Sequence, residues 1–128
     1  MKAVVLGRTT ESAEAGLAAA RRQLALLAAN ELVTPEQVAF SSANLRASAS
    51  FEAEAASADL AVESGPENLA FKRELFGRLD ALTAPSTLLT SNISGLSITA
   101  IVERCARPER VMTTHFWNPP HLMPLVEL

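Results

Sequence analysis

"DLAVESGPENLAFKRELFGRLDALTAPSTLLTSN" (residues 59–92) decides how this chain is read. It opens on a short strand-like run, Asp59 to Glu63, and passes through Ser-Gly-Pro. Leu69, Leu75, Phe76, Leu79 and Leu82 then fall within a helical stripe, with Pro66 near the start and Glu67 in the first turn. "STLLTSN" returns to a buried strand that ends in polar residues. Strand, helix and strand within roughly thirty residues make a βαβ unit, whose two strands lie parallel under the crossover helix.

The same alternation continues outward in both directions. Toward the N-terminus, Ala3 to Leu6 form an apolar run with β-branched residues, ended by Gly7, as suits a strand buried on both faces. Thr9 or Thr10 then caps a helix that Glu11 favours, and Ala13, Leu17, Ala20, Leu24 and Leu27 lie on one face of it until Asn30. "TPEQ" (34–37) sets a capping Thr before a Pro and a Gln, which starts a second, short helix. Between Phe40 and Ala58 the pattern weakens; it predicts a marginal strand near Val38 to Ser41 and a short helix from Phe51 to Ala56. Toward the C-terminus, Ile98, Ile101, Val102 and Cys105 give one more short helix, and "RVMTTHF" (110–116) and "LVEL" (125–128) read as strands. The expectation is one α/β domain with helices flanking a parallel sheet.

Composition narrows the partners. The 128 residues are 48% hydrophobic and 20% charged, which suits a single domain with its own core, and a net charge of −3 offers no basic footprint for nucleic acid. Cys105 is the sole cysteine, so no internal disulfide forms, and its place in an apolar stripe reads as a buried, inert thiol. "MKAVVLGRTTES" is too short in its apolar run for a secretory signal, and no segment has the length of a membrane span. A reducing, cytoplasmic setting without membrane or nucleic-acid partners is expected.

Polar residues collect just after the strands: Glu63 and Ser64 to Glu67, Thr90 to Ser94, and His115 with Asn118. In a parallel α/β sheet, ligands bind beyond the C-terminal strand ends. Singly, each residue has a structural explanation as a cap or a turn. His115 and Glu127 change the balance, because a histidine that works as a base needs a carboxylate to fix its tautomer and stabilise its imidazolium. His121, in a proline-rich turn with no second ligand at metal spacing, reads as a surface or packing residue. Trp117 reads as packing beside the turn.

"ESGPENLAFKRELFGRLD", "SNISGLSIT" and "HFWNPPHLMPLVEL" together resemble the nucleotide-binding domain of the L-3-hydroxyacyl-CoA dehydrogenase family, in order and spacing along the whole chain. The resemblance implies a Rossmann-like parallel sheet with flanking helices, lacking the first βα unit with the glycine-rich loop, and a partial domain over 1–128 without the family's C-terminal helical domain. It assigns His115 as general base, Glu127 as the group that orients it, Ser94 as a substrate contact, and Glu67, Lys72 and Asn118 as cofactor contacts. Ile93 stands where the family usually has threonine. The implied reaction is oxidation of (S)-3-hydroxyacyl-CoA to 3-oxoacyl-CoA with NAD, by a parent enzyme that is a homodimer. Arg8 occupies the place of the acidic group that usually meets the ribose 2′-hydroxyl, which opens NADP as an alternative. The 128 residues alone are expected to be inactive. Two other readings remain: a non-catalytic dinucleotide-fold binding module, and a related gulonate- or carnitine-type dehydrogenase.

Overall fold

The computed structural model describes all residues from 1 to 128 and divides into two compact units, Met1–Glu54 and Ala55–Leu128. In the first, strand β1 (Ala3–Leu6) leads into helix α1 (Thr10–Ala29), whose start is closed by a reciprocal box between Thr9 and Ser12. The turn is tight enough that a Cβ on Gly7 would lie 2.5 Å from the Ala13 nitrogen, so only glycine fits. Ala13 and Leu17 are buried, whereas Ala20, Leu24 and Leu27 are half-buried; the expected face of α1 packs best at its start. Asn30 ends the helix, its side-chain amide donating to the Leu26 carbonyl at 2.8 Å.

Thr34 and Gln37 form a second capping box at the start of helix α2 (Pro35–Asn44). That helix overturns the strand expected from Val38 to Ser41. A strong cap with Pro at the first turn nucleates a helix that the weakly patterned Ser and Ala residues simply continue. The strand comes later, as β2 (Leu45–Ser48), parallel to β1 in the register Ala3↔Leu45 to Leu6↔Ser48. Helix α3 (Phe51–Ala56) follows as expected, and Arg46 forks onto Glu54 through two hydrogen bonds of 2.7 and 2.5 Å.

In the second unit, β3 (Leu60–Glu63), helix α4 (Leu69–Leu82) and β4 (Leu88–Ser91) form the βαβ unit that the sequence announces. Helix α5 (Ile98–Ile101) runs into a 3-10 turn (Val102–Arg104), and a second 3-10 turn (Pro108–Arg110) leads to β5 (Val111–Thr113). Strands β3, β4 and β5 are parallel in that order. Phe76, Leu89 and Ile101 are fully buried, with Leu79 and Ile93 close to it, and each such side chain contributes roughly 1.5–3 kcal/mol by leaving water. Leu82 lies outside this core, exposed. Cys105 caps the 3-10 turn, half-buried instead of in the core; burial, then the nearby Asp80 charge, pushes its thiol up.

Two more expectations need correction. The parallel strands pair as β1-β2 and β3-β4-β5, in keeping with the α/β architecture expected, and a short antiparallel pair is added. That pair is β6 (His115–Phe116) with β7 (Val126–Glu127), so "RVMTTHF" is broken at Thr114. The break has a cause: the Phe116 amide donates to the Asn92 side chain at 2.9 Å and leaves the parallel ladder. Glu67, expected in the first turn of α4, lies before it. Asn68 is the cap, its Oδ1 accepting from the Phe71 amide at 2.9 Å, and this leaves the Glu67 side chain free to reach elsewhere.

Candidate active site

The second unit gathers its chemistry at one sheet edge. Glu63, Ser91 and Thr113, the last residues of β3, β4 and β5, are aligned by the strand register. Two more hydrogen bonds prolong the ladder past them: Asn92 N–H to the Glu63 carbonyl at 2.8 Å and Thr114 N–H to the Ser91 carbonyl at 2.9 Å.

Beneath this edge sits a closed polar cage. The Lys72 ammonium, its side chain 0% exposed, donates to both Glu63 carboxylate oxygens at 2.9 and 2.7 Å. Glu63 also accepts from the Ser91 hydroxyl at 2.5 Å and from the Gly65 amide. A buried charge pair is tolerable when its remaining hydrogen-bonding capacity is filled, as here.

Above the cage, Glu67 accepts from the amides of Gly95 at 3.1 Å and Ser94 at 3.2 Å. The Gly95 amide, outweighing burial, holds the Glu67 carboxyl below its usual range, with smaller help from Ser94 and Lys72. The loop so fixed brings Ser94 Oγ to 3.2 Å from His115 Nε2. On the far side of the ring, His115 Nδ1 lies 2.7 Å from Glu127 Oε2. The pair meets because His115 and Glu127 are direct partners across the β6-β7 ladder. The hydrogen bond from His115 lowers the Glu127 carboxyl, and Trp117 adds a smaller contribution. With Glu127 accepting from Nδ1–H, Nε2 is the free, proton-accepting nitrogen.

His115, Glu127, Ser94, Glu67 and Lys72 therefore form one connected array. Asn118 is exposed in the turn after β6, and Arg8 is exposed after β1, in the other unit. Ile93 is buried, its side chain in the core. Sequence reading missed three contributors: Glu63 as the partner of Lys72, Asn92 as the clamp on Phe116, and Trp117, 43% exposed, beside Glu127. Their signal was present in the polar run at the strand ends, but residue type alone did not say which neighbour each would meet. An open concavity of about 710 Å³ lies in the first unit, lined by Ala28, Leu32, Val33 and Val38 among others, and holds none of these residues.

The residues of this edge fit the nicotinamide end of NAD. Glu67, Ser94 and Asn118 offer exposed polar groups, and the buried Thr114 hydroxyl, one residue before His115, has no hydrogen-bond partner. No group of three or more His, Cys, Asp or Glu residues is placed to hold a metal ion. No helix is long and apolar enough to cross a membrane.

The chain is 42% identical over 118 residues to a Bacillus subtilis (strain 168) protein named "Probable 3-hydroxybutyryl-CoA dehydrogenase", covering 92% of this chain and 41% of that one. It is 44% identical over 73 residues to an L-carnitine dehydrogenase of Streptomyces coelicolor, covering 57% of this chain and 23% of the relative. It superposes on the crystal structure of 3-hydroxybutyryl-CoA dehydrogenase from Escherichia coli K12 with a TM-score of 0.88 at 32% identity, covering 96% of this chain and 26% of that one. The chain thus spans less than half the length of these relatives, and its α/β architecture of parallel sheets with flanking helices is the Rossmann-like one they share. The model of the 3-hydroxyacyl-CoA dehydrogenase NAD binding domain matches residues 1–128, and the chain belongs to that family.

Proposed function

We propose that this chain is the NAD-binding part of an oxidoreductase that converts (S)-3-hydroxyacyl-CoA to 3-oxoacyl-CoA, with His115 as general base. The observation that carries the reading is the His115 ring held between Glu127 at 2.7 Å and Ser94 at 3.2 Å. A 3-hydroxyl entering beside Ser94 donates its proton to Nε2, and Ser94 holds the substrate oxygen through the change from alcohol to ketone. Glu127 stabilises the imidazolium that results, and Glu67 keeps the loop of Ser94 in place. Bound NAD supplies the acceptor for the C3 hydrogen and its electron pair. Asn118 lies on the cofactor side in this reading, whereas Lys72, expected as a cofactor contact, is buried on Glu63 and supports the site from beneath. The substrate-binding remainder and a homodimeric, cytoplasmic parent enzyme follow from the family resemblance alone.

Likeness to an L-carnitine dehydrogenase supports a second substrate, a free 3-hydroxy acid in place of a CoA thioester. The test is NADH oxidation by the full-length protein that carries this chain, with acetoacetyl-CoA and with 3-dehydrocarnitine. Turnover of acetoacetyl-CoA that His115→Gln abolishes is expected. Turnover of the carnitine compound alone moves the reading to the second substrate, and nucleotide binding without turnover of either replaces it with a non-catalytic binding module.

A further inference from the structure

Lys72 faces two carboxylates and is bonded to only one of them. Its ammonium sits 2.7 and 2.9 Å from the oxygens of Glu63 but 3.9 Å from Glu67 Oε2. Glu67 is meanwhile committed to the amides of Ser94 and Gly95, the loop that sets Ser94 against His115. A buried ammonium without a bonded carboxylate is costly, so if Glu63 lost its charge Lys72 would take the nearest substitute, which is Glu67. The amides hold Glu67 Oε1 and the ammonium faces Oε2, so closing 3.9 Å to hydrogen-bond distance turns the carboxylate and lengthens its bonds to the loop.

We propose that Glu63 is a positioning residue: by capturing Lys72 it keeps the cation off Glu67, and so leaves Glu67 to clamp the Ser94–Gly95 loop onto His115. The placement of Ser94 against His115 thus depends on a side chain that touches neither of them. That Ser94 serves a reaction rests on the dehydrogenase reading; the competition between two carboxylates for one ammonium does not.

The test is amide hydrogen exchange measured residue by residue by NMR on the chain itself. In Glu63→Gln, exchange at Ser94 and Gly95 accelerates about tenfold, the loss of one hydrogen bond to a charged acceptor. The Ala106 amide, which donates to Asp80 at 2.7 Å in the same unit, stays at the native rate. In Glu63→Gln with Lys72→Met there is no free cation to divert Glu67, and the native rates at Ser94 and Gly95 return. Unchanged rates in the single variant, equal acceleration at Ala106, or a double variant as fast as the single would each overturn the proposal. Should Glu63→Gln fail to fold, Lys72→Met decides alone. Native rates at Ser94 and Gly95 support the proposal, and faster ones show that Lys72 anchors Glu67 instead of threatening it. No substrate is needed, so these rates in the chain, with no turnover by the full-length protein, overturn the dehydrogenase reading and leave this one standing.

Discussion

The two ends of α4 solve one problem for different purposes. At its start Lys72 reaches a carboxylate at the C-terminal end of β3; at its end Asp80 receives Arg110, the residue before β5. Both pairs are buried. Arg110 donates to Asp80 Oδ1 at 2.6 and 3.1 Å and spends its other N–H groups on the main-chain carbonyls of Asp80, in the last turn of α4, and of Ala84 and Thr87 in the connection to β4. Asp80 also takes the amides of Ala106 and Arg107. That end ties the start of β5 to α4 and to the turn after it, and its bonds go no further. The Lys72 end instead lies 3.9 Å from Glu67, whose bonds to the Ser94 and Gly95 amides fix the loop that sets Ser94 against His115. Similar ion pairs thus separate into a staple and a support, and what distinguishes them is whether the contacts end in the backbone or at an accessible side chain.

The contrast breaks most sharply at its extremes. His115→Gln lowers kcat of the full-length enzyme by about two to four orders of magnitude, the usual scale for a positioned general base, and leaves the urea midpoint of the chain unchanged. Arg110→Met does the reverse. It leaves the buried Asp80 carboxylate to Arg107, 3.3 Å away, and to the Ala106 and Arg107 amides, costs about 1.5–3 kcal/mol of stability by chemical denaturation, and leaves kcat per folded molecule at the wild-type value. If Arg110→Met lowered kcat in protein shown to be folded, the staple would be part of the site and the distinction would fall.

These two regions were also unequally legible. The βαβ unit could be read from residues 59–92 because its apolar periods are unambiguous, and the His115–Glu127 pair from residue type and motif. The partnership of Asp80 with Arg110 could not, since the two are thirty residues apart and a charge in a helical pattern reads as solvated until its neighbours are known. Val38 to Ser41 was misread for a related reason. Local β-preference there is weak, and the Thr34 cap upstream decides the outcome. Asn92 shows the same limit: nothing in "SNISG" says that its side chain will take the Phe116 amide and end a strand.

Glu127→Gln gives a middle-sized effect. The amide keeps a hydrogen bond to His115 but offers no charge to the imidazolium, so kcat falls about tenfold to a hundredfold. Acid titration sharpens the comparison further. Burial pushes the Asp80 carboxyl up, but Arg110 and the Ala106 and Arg107 amides outweigh it and hold it below its ordinary value of 3.8. A lowered folded value means that Asp80 adds stability above that pH and loses it as pH falls through the lowered one. Urea midpoints of wild type and Arg110→Met therefore differ most at neutral pH, and the gap narrows as pH falls through the lowered value to the share carried by the Arg110 carbonyl contacts. A gap that did not narrow would mean that Arg110 stabilises through those carbonyl contacts alone.

The smallest effect concerns the first unit, where Arg8 stands exposed between the end of β1 and the Thr9 cap of α1. A carboxylate at such a place selects NAD, because it accepts from the ribose 2′-hydroxyl and repels a 2′-phosphate; a guanidinium reverses both terms. The side chain is solvated, so its pairing with a phosphate is worth much less than a buried bond. Arg8→Ala should lower kcat/KM for NADP no more than about tenfold, equivalent to some 1.4 kcal/mol, and leave kcat/KM for NAD nearly unchanged. The selectivity ratio, unlike either rate, cancels any loss of folded enzyme. A ratio that Arg8→Ala does not move would mean that Arg8 is a solvated helix-start residue, and that nucleotide choice in this protein is made elsewhere.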